Sequence, residues 1–305
     1  MTAKRPEVLA AFGRALSPLL RTGIYNAGVD LGTSAEDIDI IGHAAGLPEV
    51  TSRVDGGYFT ALTVVEAIKQ AAAWSDRHSL AETTVAVEGF GRVGSEVASS
   101  LASQGARIVA VSTREGAIYD PSGLDIENLN ALREVHGDHL VNRYTGGERL
   151  DLAELLLLDV SILVPCARAW TISAENAKQV QASLVVPGAN IPLTPSAERV
   201  LFDRGILYVP DFVANCGGVL AGSLAFQGFE REDVEQVVGQ QVATKVLRIL
   251  EDAKMRGVSP SEVARDQAWQ NFRWTQQELD DGHGGIKGLL RRAHREGLRA
   301  SLGGG

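Results

Sequence analysis

Six residues between two apolar segments have the types and spacing of a phosphate-binding turn. They follow the run TVAVE and open a helical pattern, and in order they are Gly89, Phe90, Gly91, Arg92, Val93 and Gly94. In a G-x-G-x-x-G turn the first glycine permits a tight bend, the second lets the backbone approach a pyrophosphate, and the third allows close packing of helix on strand. The free N–H groups at the start of the helix would stabilise the phosphate charge. The pattern favours a dinucleotide site, although an empty turn in a doubly wound domain would carry the same glycines.

The end of the next apolar run bears on which dinucleotide would bind. A carboxylate there would accept hydrogen bonds from a ribose diol and repel a 2′-phosphate. This chain instead has Ser112, Thr113 and Arg114, which are two neutral hydroxyls and a guanidinium whose planar fork suits a phosphate. The three residues favour NADP(H) over NAD(H). Two alternatives stay open, because Arg114 could be a solvated loop side chain and Glu115 could still reach a ribose.

The elements that must position these residues alternate between strand and helix. Strands are predicted at 84–88, 107–111 and 160–164 and within SLVVPGAN and ILYVPD. The main helices are predicted at 6–20, 60–74, 93–104, 234–254 and 260–278, and the segment AENAKQVQA is also predicted to be helical. Short strands separated by helices indicate a mostly parallel sheet covered on both faces. We therefore expect an α/β fold with a Rossmann-type, doubly wound sheet.

Composition and charge exclude several other classes of protein. The chain has 305 residues, a net charge of −9 and no long basic run, so we expect no nucleic-acid partner. Two scattered cysteines, Cys166 and Cys216, indicate a reducing compartment and neither a disulfide framework nor a metal site. The first residues do not read as a signal peptide, and no apolar run reaches membrane-spanning length. We expect a cytoplasmic protein with no membrane association.

Further motifs, in order along roughly residues 9–273, resemble those of the glutamate/leucine/phenylalanine/valine dehydrogenase family. They are GVDLGTSAEDIDII, TALTVVEAIKQAA, VAVEGFGRVG, LDVSILVPCA and VVPGANIPLTPSAERVLFDRGILYVPDFVANCGGV. The last block is the most specific, because its Gly-Ala-Asn and Asn-x-Gly-Gly elements stand in family order at family spacing.

The resemblance implies roles for single residues. Thr60 matches the threonine that binds the nicotinamide carboxamide, and Ala167 lies in the loop beside the adenosine ribose and pyrophosphate. Asn190 and Asn215 match asparagines that flank the nicotinamide and its ribose, although a buried asparagine could instead satisfy turn backbone. Asp30 matches the catalytic aspartate that shuttles a proton to the substrate nitrogen; alternatively, it is a turn residue.

One departure from the family concerns substrate binding. The family carries a substrate domain with Lys-Gly-Gly-type motifs ahead of these elements, whereas Lys4 is the only lysine before Lys69 here. We therefore expect a dinucleotide-binding domain at 56–271 and a reduced, mainly helical remnant of the second domain at 1–55 plus 272–305. Candidate substrate contacts near the expected cleft are Tyr25, Asn26, Arg53, Tyr58 and Arg168.

The resemblance implies an NAD(P)-dependent oxidoreductase of the amino acid dehydrogenase type that acts on a C–N bond. The reaction would be oxidative deamination and its reverse, or reduction of an imine as in an imine reductase, with Asp30 as the proton shuttle. One alternative is a catalytically incomplete dinucleotide-binding or regulatory subunit that needs a partner chain. Another is hydride transfer to a carbonyl, with Asp30 protonating oxygen.

An apolar stripe on the first helix bears on assembly. Leu9, Phe12 and Leu16 would lie uncovered on that helix, which predicts a homodimer that buries this stripe or the face of the helix at 234–250. The alternative is that the stripe packs against the C-terminal helices of its own chain.

Overall fold

A seven-stranded sheet forms the centre of the protein's larger unit. The structure is a computed structural model, and it describes residues 6–22, 25, 27–28, 33–47, 55–75, 80–226 and 229–280. The strand order is β4-β3-β2-β1-β5-β6-β7. The strands are β1 Thr84–Glu88, β2 Arg107–Thr113, β3 Gly116–Tyr119, β4 Glu148–Leu150, β5 Ile162–Pro165, β6 Leu184–Val185 and β7 Leu207–Tyr208. Neighbours among β2, β1, β5, β6 and β7 pair in parallel, whereas β3 pairs antiparallel with β2 and with β4. The predicted α/β fold with a mostly parallel sheet is confirmed.

Helices surround this sheet and include the long predicted ones. Their bounds are α1 Pro6–Thr22, α2 Ala35–Ala45, α3 Gly56–Trp74, α4 Arg92–Ser103, α5 Ile126–His136, α6 Leu140–Arg143, α7 Leu152–Leu155, α8 Pro195–Asp203, α9 Asp211–Ala214, α10 Gly217–Phe226, α11 Arg231–Arg256 and α12 Pro260–Asp280. Several begin at a side-chain cap, such as Asp125 before α5 and Thr194 before α8. None of the helices in the described ranges is both long and apolar enough to cross a lipid bilayer.

Two apolar clusters cover the two faces of the sheet. Val85 and Val87 of β1 belong to one cluster, together with residues of α3, α4 and α11, whereas Ala86 between them belongs to the other, with residues of α7 and α8. Because successive side chains of a strand point to opposite faces, this alternation shows that helices pack on both sides.

The chain divides into two compact units, Met1–Val54 and Asp55–Gly305. The first unit is built on α1 and α2, which pack through Leu20, Ile41 and Ala45. Helix α2 begins with a capping box, in which the Ser34 side chain accepts from the Asp37 N–H and the Asp37 carboxylate accepts from the Ser34 N–H. The second unit contains the whole sheet. The assignment of residues 272–305 to the smaller domain stays a prediction.

The later part of the sheet has less regular structure than the sequence predicts. The segment AENAKQVQA, predicted as a helix, forms only a short 3₁₀ turn at Asn176–Lys178. The Asn176 side chain accepts from the Ser173 N–H at 2.7 Å and donates to the Thr171 carbonyl at 2.9 Å, and such local bonds compete with helix formation. The predicted strands in SLVVPGAN and ILYVPD shorten to β6 and β7, of two residues each.

The prediction of an uncovered stripe on the first helix is wrong. Leu9 and Leu16 pack into the cluster formed with α2, and of the three only Phe12 stays exposed, at 42%. The apolar face of α11 is also buried within the chain; its buried members are Val234, Val237, Val238, Val242, Val246, Ile249, Leu250 and Ala253. The homodimer prediction therefore loses both of the surfaces on which it depended.

Candidate functional site

The predicted cofactor residues of the second unit follow the carboxyl ends of neighbouring strands. Gly89 follows β1, Ala167 follows β5, Asn190 follows β6, and Asn215 follows β7 and the short helix α9. Because β1, β5, β6 and β7 run parallel, these ends lie along one edge of the sheet. This edge is where open α/β sheets bind ligands.

The glycine turn brings backbone close to backbone on one side and leaves space on the other. Gly89 has φ +93°, and a Cβ there would lie 2.8 Å from the N and Cα atoms of Ala167. A Cβ on Gly94 would overlap the carbonyl oxygen of Gly89, so any larger residue would separate α4 from β1. Gly91 is the N-cap of α4, no side chain caps this terminus, and a Cβ at Gly91 would meet no atom within 4 Å. The open terminus fits a pyrophosphate.

Ser112 and Thr113 are buried and bonded within the fold. The Ser112 hydroxyl accepts from the Gly89 N–H at 2.9 Å, and its carbonyl accepts from the Phe90 N–H at 2.6 Å. The Thr113 hydroxyl donates to the carbonyl of Asp138 at 2.7 Å. Phe90 itself is a core side chain, 2% exposed. The Ser112 hydroxyl therefore positions the turn, whereas the Thr113 hydroxyl holds the segment after α5. Arg114 is the exposed side chain of the predicted trio.

Arg114 lies beside two carboxylates, one from its sequence neighbour Glu115 and one from Asp138, which its local sequence does not reveal. Its Nε atom lies 2.7 Å from Asp138 Oδ2 and 3.7 Å from Glu115 Oε1, and its side chain is 73% exposed. His139 Nδ1 lies 3.7 Å from the other oxygen of Glu115. A phosphate at Arg114 would therefore meet two negative charges as well as the guanidinium. Asp138 comes from the segment after α5, so only the tertiary fold brings it here.

Arg92 and Val93, at the start of α4, also make contacts outside the turn. The Arg92 guanidinium lies 3.0 Å from Asp55 Oδ1, which also caps α3 by accepting from the N–H groups of Gly57 and Tyr58. Val93 lies beside Gly188 after β6, where a Cβ would come within 2.9 Å of Val93 Cγ1. The predicted pyrophosphate turn is thus joined to α3 on one side and to the loop after β6 on the other.

Asn190 and Asn215 are brought together, as the cofactor prediction requires. The Asn215 side-chain amide donates to Asn190 Oδ1 at 2.8 Å and to the Ala189 carbonyl at 3.1 Å. Asn215 therefore both satisfies turn backbone and orients the exposed Asn190. Asp211, which the sequence does not single out, fixes the same loop by accepting from the Ile191 N–H at 2.7 Å.

Thr60 lies where α3 meets the start of α10. A Cβ on Gly218 would approach its hydroxyl to 3.1 Å, and the Gly217 N–H donates to Thr63 Oγ1 at 3.2 Å. Since α10 begins directly after Asn215 and Cys216, this contact places Thr60 close in the fold to the Asn215 turn.

Two residues beside the site have strained backbones. Trp170 and Ile191 have φ +58° and +51°, a region that costs a non-glycine residue about 1–2 kcal/mol. The Trp170 N–H donates to the Ile191 carbonyl at 2.8 Å, and the side chains are 67% and 55% exposed. Their residue types give no sequence signal for these conformations.

Glu88 is a buried carboxyl outside the G-x-G-x-x-G motif that follows it. It ends β1 directly before the turn and is 7% exposed. Burial raises its pKa to about 7, while a hydrogen bond from Thr171, the charge of Arg168 and a backbone bond from Ala167 lower it. A carboxylate that ends an otherwise apolar strand is the sequence signal that could have identified it.

The candidate catalytic and substrate residues are only partly within the described residues. Asp30, Asn26 and Arg53 lie outside them. Tyr25 is 41% exposed in the first unit. Arg168 is exposed in the loop after β5, and the ring of Tyr58 lies 4.6 Å from the guanidinium of Arg231. Within the described ranges, no three His, Cys, Asp or Glu side chains gather as a metal site would require.

Comparison with known proteins gives one family. Residues 55–280 match the family model described as Glutamate/Leucine/Phenylalanine/Valine dehydrogenase. A glutamate dehydrogenase from Thermotoga maritima is 51% identical over 45% of this chain and 33% of its own. An NADP-specific glutamate dehydrogenase from Halobacterium salinarum is 45% identical over 46% of this chain and 33% of its own. An NAD-specific glutamate dehydrogenase from Staphylococcus aureus is 44% identical over 52% of this chain and 38% of its own. The chain thus spans between 33% and 38% of the length of these relatives.

Solved structures agree with this comparison. The hetero-hexameric glutamate dehydrogenase from Thermus thermophilus, in a Leu-bound form, has a TM-score of 0.71 at 27% identity, covering 86% of this chain and 67% of that one. The L-tryptophan dehydrogenase from Nostoc punctiforme has a TM-score of 0.66 at 26% identity, covering 90% and 74%.

Proposed function

Because this chain belongs to the glutamate/leucine/phenylalanine/valine dehydrogenase family, we propose that it is an NAD(P)-dependent oxidoreductase acting on the C–N bond of a small amino or imino acid. The observation that carries this proposal is the placement of an uncapped helix terminus and a bonded asparagine pair along one edge of one sheet. A nucleotide-free scaffold would need neither of them.

Different residues of the second unit would bind different parts of the dinucleotide. The N–H groups at the start of α4 would bind the pyrophosphate, and Ala167 and Arg114 would lie along the adenosine ribose. Thr60 would bind the nicotinamide carboxamide. Asn215, through its 2.8 Å hydrogen bond to Asn190 Oδ1, would orient Asn190 towards the nicotinamide ribose.

The chemistry would need one proton-handling group beside the substrate nitrogen. A bound nicotinamide would supply or accept the hydride at the substrate carbon. Asp30 would give a proton to nitrogen during reductive amination or imine reduction and accept it during oxidative deamination. Its carboxylate would also stabilise the positive charge of a protonated imine.

NADP(H) is favoured over NAD(H) in this proposal because the Arg114 guanidinium has the charge and geometry for a 2′-phosphate. Asp138 and Glu115, at 2.7 and 3.7 Å from that guanidinium, would limit the preference. Both cofactor types occur among the relatives.

Assembly and compartment also belong to the proposal. We expect the chain to form an oligomer, since a related structure is described as hetero-hexameric, and we retain the predicted homo-oligomer as its simplest form. Light scattering at micromolar concentration would measure its mass. A monomer at that concentration would contradict the expectation. We expect a cytoplasmic location, because two scattered cysteines that form no disulfide are typical of a reducing compartment.

The test is turnover by the purified chain. NADPH and NADH oxidation would be followed with a panel of 2-oxo acids plus ammonia and with preformed cyclic imines. Turnover that is lost in Asp30→Asn, with dinucleotide affinity retained, is the expected result. Tight dinucleotide binding without any turnover would instead favour the incomplete or regulatory subunit. Failure to bind either dinucleotide would end the proposal.

A further inference from the structure

Glu88 joins two loops that the proposed function places around the dinucleotide. Its backbone carbonyl accepts from the Cys166 N–H at 2.6 Å, and its carboxyl accepts from Thr171 Oγ1 at 3.3 Å. Ala167, which lies between Cys166 and Thr171 in the chain, contacts Gly89 so closely that a side chain at position 89 would not fit. One residue therefore contacts both ends of the loop of residues 166–171, through its backbone at Cys166 and through its side chain at Thr171, and directly precedes the glycine turn.

We propose that Glu88 is a positioning residue that fixes the loop of residues 166–171 against the glycine turn, and that its ionisation weakens binding of the dinucleotide. The inference rests on the proposed function, since it needs a dinucleotide at this turn. The neutral carboxyl can keep the bonds to Ala167 and Thr171 without adding charge. The ionised carboxyl adds a negative charge under a turn whose ligand is itself negatively charged.

The groups that face Glu88 do not cancel the effect of its ionisation on dinucleotide binding. Arg168 and the Cys166 thiol come from the loop after β5, with the hydroxyl of Thr171. Burial raises the pKa of Cys166 to about 12, so this thiol stays neutral through the neutral range. Arg168 is exposed and solvated, and so it only partly offsets the cost of burying the carboxylate. The pKa of Glu88, raised to about 7 by burial, places its ionisation within the range in which most proteins work.

The sign of the effect follows from linkage. A negatively charged ligand binds better to the protonated form, so affinity should be highest below the pKa of Glu88 and fall as the pH rises through it. We expect the dissociation constant of NADPH to rise on the order of tenfold from about pH 6 to about pH 8.5. Binding near pH 7 should also take up a fraction of a proton.

The experiment compares the pH profiles of the full chain and of Glu88→Gln. NADPH binding would be measured by fluorescence across this pH range, and because the 2′-phosphate titrates identically in both proteins, the ratio of their dissociation constants isolates Glu88. We expect the ratio to change about tenfold across the range, and calorimetry in two buffers to show more proton uptake on binding in the parent chain than in Glu88→Gln. Glu96→Gln, on the exposed surface of α4, should follow the parent profile.

A ratio that stays constant with pH, while both proteins bind NADPH, would overturn the inference and leave the proposed function intact. If neither protein binds NADPH or NADH at any pH, the proposed function itself fails. Thr171→Val supplies a second measurement if Glu88→Gln does not fold. It removes the hydrogen bond that favours the ionised carboxyl, so the midpoint of the profile should move to higher pH; an unmoved midpoint would also overturn the inference.

Discussion

At the scale of the residue, Glu88 should make the stability of the chain depend on pH. Its pKa in the folded chain is about 7, above its ordinary value of 4.5, because of burial. The folded state then holds the proton more tightly than the unfolded one. Stability from this group is present below about pH 4 and is lost as the pH rises to about 7. The whole effect is on the order of 3 kcal/mol.

Glu88→Gln removes this titration. Relative to the parent chain, the free energy of unfolding of the variant should increase between about pH 5 and pH 8, by up to about 3 kcal/mol. Urea denaturation at several pH values would measure the change. A difference between the two proteins that does not vary with pH would show that Glu88 is ionised in the folded state throughout.

Ile191 offers a test of backbone strain beside the site. Its φ of +51° is unfavourable for a β-branched residue, and its side chain is 55% exposed, so little packing would be lost on replacement. Because asparagine adopts this conformation more readily, Ile191→Asn should stabilise the chain by about 1 kcal/mol and raise Tm by roughly 2–4 °C. Val135→Asn, at an exposed position of α5, should give no such gain. A fall in Tm for Ile191→Asn would mean that its side chain contributes more by contact than its backbone costs.

The proposed preference for NADP(H) depends on single charges near Arg114. Asp138→Asn removes the carboxylate 2.7 Å from the guanidinium, so NADPH should bind roughly 3- to 10-fold more tightly relative to NADH. Arg114→Asp should shift the ratio in the other direction by a similar factor. Dissociation constants at one fixed ionic strength would test both. An unchanged ratio in both variants would show that the 2′-phosphate does not lie at this residue.

At the scale of the element, the contact of α3 with α10 depends on one glycine. A Cβ on Gly217 would overlap the carbonyl oxygen of Phe59 in α3, whereas a Cβ on Gly222, in the same helix, would meet no atom within 4 Å. Gly217→Ala should therefore cost roughly 2–4 kcal/mol of stability, and Gly222→Ala should gain up to about 1 kcal/mol. Thermal melts of the pair would compare them. Equal melting temperatures would mean that α3 and α10 can move apart without loss of stability.

The elements that the sequence predicts well are those with a clear local pattern. The apolar run of β1, the glycine turn and the long helix α11 all follow from periodicity and residue type within one segment. The antiparallel strands β3 and β4 do not. Strand β4 pairs with β3 from a distant segment, Ala117 with Leu150, and β3, although it follows β2 closely in sequence, is only four residues long. Asn176 shows a further limit, since its side-chain bonds end a helix that its neighbours favour.

The same limit applies to the candidate site. Gly89 and Gly94 could be identified because the turn leaves no room for a Cβ at either position. Asp138 could not, since it reaches Arg114 only through the tertiary fold, and the contacts of Glu88 with Thr171 join segments far apart in sequence. Sequence thus predicts the residues that shape the backbone more readily than the charges that surround them.

At the scale of the whole molecule, the two units should differ in independence. The first unit buries Leu20, Ile41 and Ala45 in its described core, which is too little apolar surface for a stable domain of its own. The second unit contains the sheet and both of its apolar clusters. Residues 55–305 alone should therefore fold cooperatively and bind NADPH with an affinity within about threefold of the full chain.

Turnover by that fragment is the informative measurement. Because Asp30 is absent from it, the fragment should bind NADPH without oxidising it in the presence of any substrate that the full chain accepts. A circular dichroism melt would first establish that it folds. Turnover equal to that of the full chain would exclude Asp30 from catalysis.

The short outer strands of the sheet have a consequence for the protein at high concentration. On one side the sheet ends at β4, with the exposed charged residues Glu148 and Arg149, and on the other at β7, only two residues long. A strand from a neighbouring molecule could form few backbone hydrogen bonds with either edge strand. At the β4 edge it would also have to pass the two charged side chains. Crowded solutions of this protein should consequently resist fibre growth by strand addition.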